Sequence, residues 1–193
     1  MKFSVTLSII LAANATFTFT TQATQVTIKN LFAVEISDWN NDGSMDKAVL
    51  ARSENKNNID NDDGAVLYIY LSNDHQGTLI TKKNIAWAGA LWGTTPTLSL
   101  NKSGSLLIHS MNESIGRNRW NQKLTLSYRN NKFIVSGYNY ASYDTLVKDS
   151  QFTCDVNLLT GKGKLNDKTF HIAKQKIALE DWNEKLIPKK CLE

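Results

Sequence analysis

Apolar and polar residues alternate in short segments along most of the chain, and polar turns separate these segments. Alternation with a period of two is typical of β-strands that bury one face. The pattern favours an all-β fold built as an antiparallel β-meander. Strands are predicted at Asp46–Arg52, Ala65–Leu71, Thr78–Trp87, Thr97–Leu100, Ser105–Ser110, Lys123–Tyr128, Phe133–Tyr140, Phe152–Leu159 and Lys168–Ile172, after a strand-like lead-in at Leu31–Ile36.

Turn chemistry joins neighbouring strands into hairpins. Asn101–Gly104 and Arg129–Lys132 are rich in residues that favour tight turns, and each lies between two predicted strands. The polar segment Asn112–Arg119 is predicted to be an exposed connection, with an anion-binding loop as the alternative. Two further segments are predicted to lack strands, namely Thr160–Lys164, a loop, and Ile177–Ile187, a short helix or an irregular tail.

The N-terminal segment has the features of a secretory signal. The apolar stretch Phe3–Ala13 follows a lysine and is too short to span a bilayer. Cleavage is predicted after Ala23, with Ala15 as a second candidate, and the alternative is a buried N-terminal strand. Residues 1–23 are therefore predicted to be a signal peptide and residues 24–193 a single β-rich domain of a periplasmic or secreted protein. No later segment is predicted to be transmembrane.

The charge pattern argues against a nucleic-acid partner. The chain has 22 basic and 18 acidic residues and a formal net charge of +4. Its lysines are scattered among acidic residues, whereas a nucleic-acid surface needs a concentrated basic patch. No nucleic-acid partner is predicted.

The two cysteines, Cys154 and Cys191, are predicted to form a disulfide, because export places the chain in an oxidising compartment. The bridge would close a loop of about 38 residues and contribute roughly 3–4 kcal/mol in the chain-entropy model. The alternative is a catalytic thiol, which lacks support because neither cysteine has a C-x-x-C partner or a nearby histidine.

The segment from Asp38 to Asp46 has the spacing of a cation-binding loop. Hard cations such as Ca²⁺ prefer six to eight oxygen ligands, and Gly43 permits the sharp turn that such a loop needs. The alternative is an Asx-rich turn that binds no metal. The predicted ligands of Ca²⁺ are Asp38, Asn40, Asp42, the carbonyl group of Ser44 and Asp46, at loop positions 1, 3, 5, 7 and 9.

The neighbours of this loop distinguish it from an EF-hand, which needs a glutamate at position 12, where this chain has Val49. The run from Asp38 to Leu50, followed by Ala65–Leu71 and Gly77–Leu79, resembles one FG-GAP/VCBS repeat, over about residues 34–82. Such repeats form β-propeller blades and bind Ca²⁺ through D-x-N-x-D-G-x-x-D loops. The resemblance thus implies the same calcium ligands and a propeller-blade-like meander, with a β-sandwich as the other all-β form.

Two segments nearer the C-terminus carry a second resemblance. Ser142–Leu146 and Cys154–Gly163 resemble motifs of small exported proteobacterial proteins. This resemblance agrees with the predicted export and implies no particular activity.

Aromatic residues form a candidate ligand-binding platform. Tyr138 and Tyr140 share one face of a predicted strand because side chains alternate along it. Together with Trp120 and Tyr143 they could stack on a sugar. The alternative is that these rings pack against cross-strand neighbours.

No catalytic residues are assigned. The chain shows no Ser/His/Asp order, no nucleophile elbow and no histidine-rich metal cluster. Glu113 with Asp144 is the only acid–base pair considered, and its spacing does not support it. His75 is expected to be a surface residue and His109 a strand residue. Asp60, Asp62 and Asp63 are expected to be a solvated run, and the alternatives are that they lend a ligand to the cation or form a weak second site.

The predicted function is that of an exported, calcium-stabilised binding protein that interacts with another protein, with an immunity protein or inhibitor as one form. A carbohydrate-binding module that recognises a glycan is the alternative, followed by a periplasmic hydrolase with its site near the cation.

Overall fold

The computed structural model describes residues 17–21, 24–28, 30–53, 64–72 and 77–192, and almost all of its regular structure is β-strand. The strands are β1 (Phe17–Thr21), β2 (Thr24–Ile28), β3 (Leu31–Ser37), β4 (Asp46–Arg52), β5 (Gly64–Leu71), β6 (Thr78–Trp87), β7 (Thr97–Leu100), β8 (Leu106–Asn112), β9 (Asn118–Arg129), β10 (Lys132–Asp144), β11 (Phe152–Asn157), β12 (Lys162–Leu165), β13 (Lys168–His171) and β14 (Ile177–Ala178). Two 3₁₀ turns follow, at Glu184–Leu186 and Lys189–Cys191.

The strands pair antiparallel in chain order. β1 and β2 form a hairpin, and β3 to β6 form a four-stranded sheet. β7 to β13 form the path of a second, larger sheet, and β14 returns to pair with β10 at Ile134 and Val135. The predicted all-β, antiparallel meander is therefore confirmed, and its two main sheets make it a sandwich.

The hydrophobic core lies between the two main sheets. Leu50, Leu67 and Ile69 of the four-stranded sheet are fully buried in one cluster with Leu124 and Phe133 of the larger sheet. A second, small cluster lies on the outer face of the four-stranded sheet, where Ile28, Val49 and Ala51 meet. β4 is thus buried on both faces, which explains its nearly continuous apolar run.

β9 and β10 extend well beyond the predicted strands Lys123–Tyr128 and Phe133–Tyr140. They contain 12 and 13 residues, whereas the strands of the facing sheet contain 7 to 10. The ends that the sequence analysis missed carry polar residues such as Asn118, because their inner face projects past the hydrophobic core. The polar connection predicted at Asn112–Arg119 is correspondingly shorter, spanning only residues 113–117.

Two predictions near the C-terminus were wrong. The segment Thr160–Lys164 was expected to be a loop, but Lys162 begins β12, which pairs with β11 and β13. The strand predicted to end at Leu159 ends at Asn157, where a turn reverses the chain. The tail is irregular apart from β14 and the two 3₁₀ turns, so the irregular alternative for Ile177–Ile187 is the one observed.

The predicted disulfide is confirmed. Cys154, on β11, is bonded to Cys191, in the second 3₁₀ turn, and both residues are buried. The bond attaches the last turn of the chain to the larger sheet, on the side where the tail covers the core.

Several predictions lie outside the described residues. These are most of the predicted signal peptide and its cleavage site, the acidic run with Asp60, Asp62 and Asp63, and the turn with His75. β1 belongs to the segment predicted to be removed, and the signal peptide remains a prediction. Within the described ranges, no helix has the length and apolarity needed to cross a membrane.

Candidate functional site

The predicted cation-binding loop joins β3 to β4 at one end of the sandwich. Asn41 and Gly43 both adopt positive φ angles, of 57° and 87°, which allows the chain to reverse within a few residues. Trp39 anchors the loop, because its buried ring packs edge-on against Phe133 and its Nε1 donates to the carbonyl oxygen of Gly104. The loop is therefore fixed to the core on one side and exposed on the other.

The exposed side of the loop is a network of Asx hydrogen bonds. The carboxylate of Asp38 accepts hydrogen bonds from the backbone N–H groups of Asp42 and Gly43, at 3.1 and 3.0 Å. The Asn40 amide donates to Asp42 at 2.8 Å, and Asp42 in turn accepts from the backbone N–H of Ser44 at 2.7 Å. This last bond is the main cause that lowers the pKa of Asp42, so its carboxylate is held in the charged form.

Asp46 has a different role, because it is fully buried. One carboxylate oxygen accepts from the backbone N–H of Trp39 at 2.9 Å, and the other accepts from the backbone N–H of Ser72 at 2.8 Å. Burial raises the pKa of Asp46, while the bonds from these two amides oppose the rise. Asp46 thus ties the loop to the end of β5, at the first residue after that strand.

The donor set agrees with the chemistry of a hard cation. Asp38, Asn40, Asp42 and Asp46 supply only oxygen ligands, and a carboxylate oxygen that accepts one N–H keeps capacity for a cation. Among the described residues, however, no group of three or more acidic, histidine or cysteine side chains is arranged to hold a metal ion. Binding Ca²⁺ would therefore require the exposed side chains to turn away from their backbone partners towards a common point.

Three of the four aromatic residues of the predicted platform, Trp120, Tyr138 and Tyr140, lie on the inner face of the larger sheet, where β9 and β10 project past the core. Tyr140 and Trp120 line one cleft together. Tyr138 is only 3% exposed and packs against Trp182, with ring centroids 6.4 Å apart, and burial raises the pKa of its hydroxyl group. Tyr143 points elsewhere and donates a hydrogen bond to Glu113 at 3.0 Å.

The cleft has a volume of about 550 Å³ and adjoins a second cavity of about 390 Å³. Gln122, Tyr140 and Ile187 line both, so the two cavities form one groove, here called the aromatic groove. Sequence analysis missed most of its walls because they come from both sheets and from the tail. These residues are Asn84, Ile85 and Trp87 from β6, Ser110 from β8, and Trp182, Asn183 and Glu184 from the tail.

Comparison with known proteins gives no further guide to these sites. No family model matches the chain, and neither a curated protein nor a solved structure is significantly similar to it. Function therefore has to be argued from the geometry of this molecule.

A second feature that sequence analysis missed lies at the end of the sandwich opposite the cation loop. Three connections meet there, between β6 and β7, β8 and β9, and β10 and β11. Glu113 N donates to Gly93 O at 2.9 Å and Thr145 N donates to Arg117 O at 3.0 Å, so the three loops hold one another. Six of the nine large hydrophobic residues that are exposed in the described part of the chain lie at this end, the apolar end surface, namely Leu91, Trp92, Ile115, Tyr143, Leu146 and Val147.

The acid–base pair considered from the sequence also lies at this end, but each carboxylate already has a partner. Asp144 forms an ion pair with Arg117 at 2.6 Å, and the Arg117 guanidinium is the main cause that lowers the pKa of Asp144. Glu113 accepts from Tyr143. The anion-binding loop that was the alternative for Asn112–Arg119 is also affected, because Arg117 already forms an ion pair with Asp144.

Proposed function

We propose that the protein is an exported binding protein that docks another protein through its apolar end surface and is stabilised by Ca²⁺ at the opposite end. The observation that carries the proposal is Trp92, which is 90% exposed, follows the exposed Leu91 and lies in a loop that is hydrogen-bonded to the one carrying Ile115. Contiguous exposed apolar residues on a folded domain mark interaction sites, and tryptophan is the residue type most enriched among interface hot spots.

The loops that carry this surface support a docking role. Glu113, Arg117 and Asp144 connect them by an ion pair and hydrogen bonds, so the apolar residues project from a frame that is already ordered. A preordered surface loses less conformational freedom when it binds. The paired charges around it form a polar rim of the kind that surrounds protein interfaces.

Cross-linking would identify the partner and test the surface. With p-benzoylphenylalanine in place of Trp92 or Leu146, irradiation of exporting cells is expected to give the same single cross-linked protein at both positions, and none with the probe at Thr169, an exposed residue on the far edge strand. The identified protein should then bind the purified wild type, and Trp92→Ala should weaken that binding by at least about tenfold.

Ile36→Ala, which removes another exposed apolar side chain from a different surface, is the matched control and should bind the partner normally. Cross-links only to further copies of the same chain, or equal binding by Trp92→Ala and the wild type, would overturn the proposed docking surface. An immunity protein or inhibitor is one form of this function, and in that case the partner would be an exported toxin or enzyme.

Calcium has a structural role in this proposal. The loop resembles that of an FG-GAP/VCBS repeat. The sheet around it has four antiparallel strands, β3 to β6, which is the number of strands in one propeller blade. Asp38 and Asp42 lie close together on the exposed side of the loop, and a cation between them would relieve their mutual repulsion. Because this loop and the apolar end surface lie at opposite ends, the ion would stabilise the fold rather than contact the partner.

Thermal unfolding with Ca²⁺ and with a chelator tests the ion. A site filled at 100 times its dissociation constant adds about 2.7 kcal/mol, so the midpoint should rise by several degrees in Ca²⁺ and not in Mg²⁺. Asp42→Ala should remove this rise and melt below the wild type in Ca²⁺. Asp155→Ala, an exposed acidic residue on β11, should retain it. If Asp42→Ala melts like the wild type in Ca²⁺, the loop is an Asx-rich turn only.

A further inference from the structure

The aromatic groove is a second candidate binding site, and its lining shares no residue with the apolar end surface. It lies where the inner face of β9 and β10 continues past the facing sheet, and the disulfide-anchored tail closes one side. Its two cavities, of about 550 and 390 Å³, each fall within the roughly 300–1,000 Å³ typical of small-molecule sites. Together the two cavities give room for a ligand larger than a single small group.

The apolar part of the lining consists of aromatic rings. Trp87 and Trp120 lie with their ring centroids 5.5 Å apart and tilted by 52°, so they present a bent aromatic wall rather than a closed stack. Tyr140 stands on the strand next to Trp120 and lines both cavities. Flat aromatic surfaces of this kind pack against the apolar faces of ring-shaped ligands.

The polar part of the lining has donors that make no hydrogen bond to the described residues. Gln122 accepts a hydrogen bond from the Tyr138 hydroxyl group through Oε1, at 3.4 Å, but its Nε2 donates to none of the described residues. The indole Nε1 atoms of Trp87 and Trp120 and the hydroxyl group of Tyr140 likewise have no partner there, and none of these atoms is buried. These groups are therefore accessible to a bound molecule.

The charge of the groove restricts the ligand further. Among the described residues, Glu184 is the only charged one in the lining, so a phosphate, sulfate or carboxylate ligand would meet a carboxylate and no compensating cation from this part of the chain. A ligand with many hydroxyl groups can accept from the indole and amide N–H groups and donate to Glu184. We infer that the aromatic groove binds a neutral oligosaccharide. This inference goes beyond the proposed protein contact because it concerns another class of ligand and residues that are not part of the apolar end surface.

Titration with defined oligosaccharides tests the inference. The probes are maltohexaose, cellohexaose, xylohexaose, mannohexaose and an N-acetylglucosamine hexamer, with oligogalacturonate as the anionic counterpart. Because Trp87 and Trp120 line the groove, at least one neutral probe should change the tryptophan fluorescence in a saturable way, and oligogalacturonate should not. Tyr140→Ala and Gln122→Ala should each weaken binding of that probe by about tenfold, with the far-UV spectrum unchanged.

Trp92→Ala is the matched control, because it removes an exposed tryptophan at the apolar end surface and leaves the groove intact. It should bind the oligosaccharide like the wild type while losing the protein partner, so the two proposals can fail separately. The inference is overturned if no neutral probe binds, if oligogalacturonate binds as well as the neutral probe, or if Tyr140→Ala and Gln122→Ala both bind like the wild type.

Discussion

Replacing Cys154 and Cys191 together by alanine is expected to lower the free energy of unfolding by about 4 kcal/mol. The bond joins residues 37 positions apart. Without it the unfolded chain regains the conformational entropy that closing this loop removes, and so becomes more stable relative to the folded state. Domains of this kind have total stabilities of roughly 5–15 kcal/mol, so the double variant should retain only part of its stability. Urea denaturation with extrapolation to water is the appropriate measurement.

Reduction of the wild type provides the control for this prediction. The reduced wild type and the double alanine variant should unfold at the same urea concentration, because both lack the bond, whereas a reducing agent should not change the variant. A double variant whose midpoint equals that of the oxidised wild type would show that the tail is held by its packing alone.

Asp46→Ala is expected to lower the free energy of unfolding by about 3–5 kcal/mol, even in the presence of a chelator. The carboxylate is fully buried and accepts the backbone N–H groups of Trp39 and Ser72. Alanine would leave both donors without a partner, and each unsatisfied buried group costs about 1–3 kcal/mol. Chelator removes any contribution from Ca²⁺, so this measurement isolates the role of Asp46 in connecting the loop to β5.

Asp42→Ala is the matched control for that role. Asp42 is exposed and its hydrogen bonds stay within the loop, so its replacement should change stability in chelator far less than Asp46→Ala does. If the two variants were equally stable in chelator, the buried hydrogen bonds of Asp46 would not hold the loop. Any loss of stability that Asp46→Ala shows in Ca²⁺ alone would then come from the lost metal site.

The strands that sequence analysis predicted well are those that pack against the core. β4, β5 and β7 begin and end within one residue of their predicted limits, because their alternation or apolar run reflects burial against the facing sheet. The ends of β9 and β10 were missed because they carry polar residues beside the open groove. β12 was missed because its lysines and glycine resemble a turn, although lysines suit a strand close to a sheet edge.

The candidate sites also differ in how much of each could be predicted from the sequence. The cation loop is local in sequence, so spacing alone identified Asp38, Asn40, Asp42, Ser44 and Asp46 as candidate ligands. Spacing could not separate their roles, because Asp46 is buried and accepts a hydrogen bond from Ser72, a residue 26 positions away. Sequence analysis predicted only Trp120, Tyr138 and Tyr140 of the aromatic groove, since Trp87 and Glu184 reach it from the other sheet and from the tail. The apolar end surface had no sequence signal, because exposed loop residues follow no period.

The order of the strands has a consequence for how the chain reaches this structure. Within each sheet every strand after the first pairs with the one before it in the chain, except β14, which returns to β10. Most pairings therefore close short loops, and proteins dominated by local contacts fold faster than those that must join distant segments. A chain emerging from its N-terminus could add one hairpin after another, leaving the tail to dock and be oxidised last. The slow step should thus be found at the C-terminus.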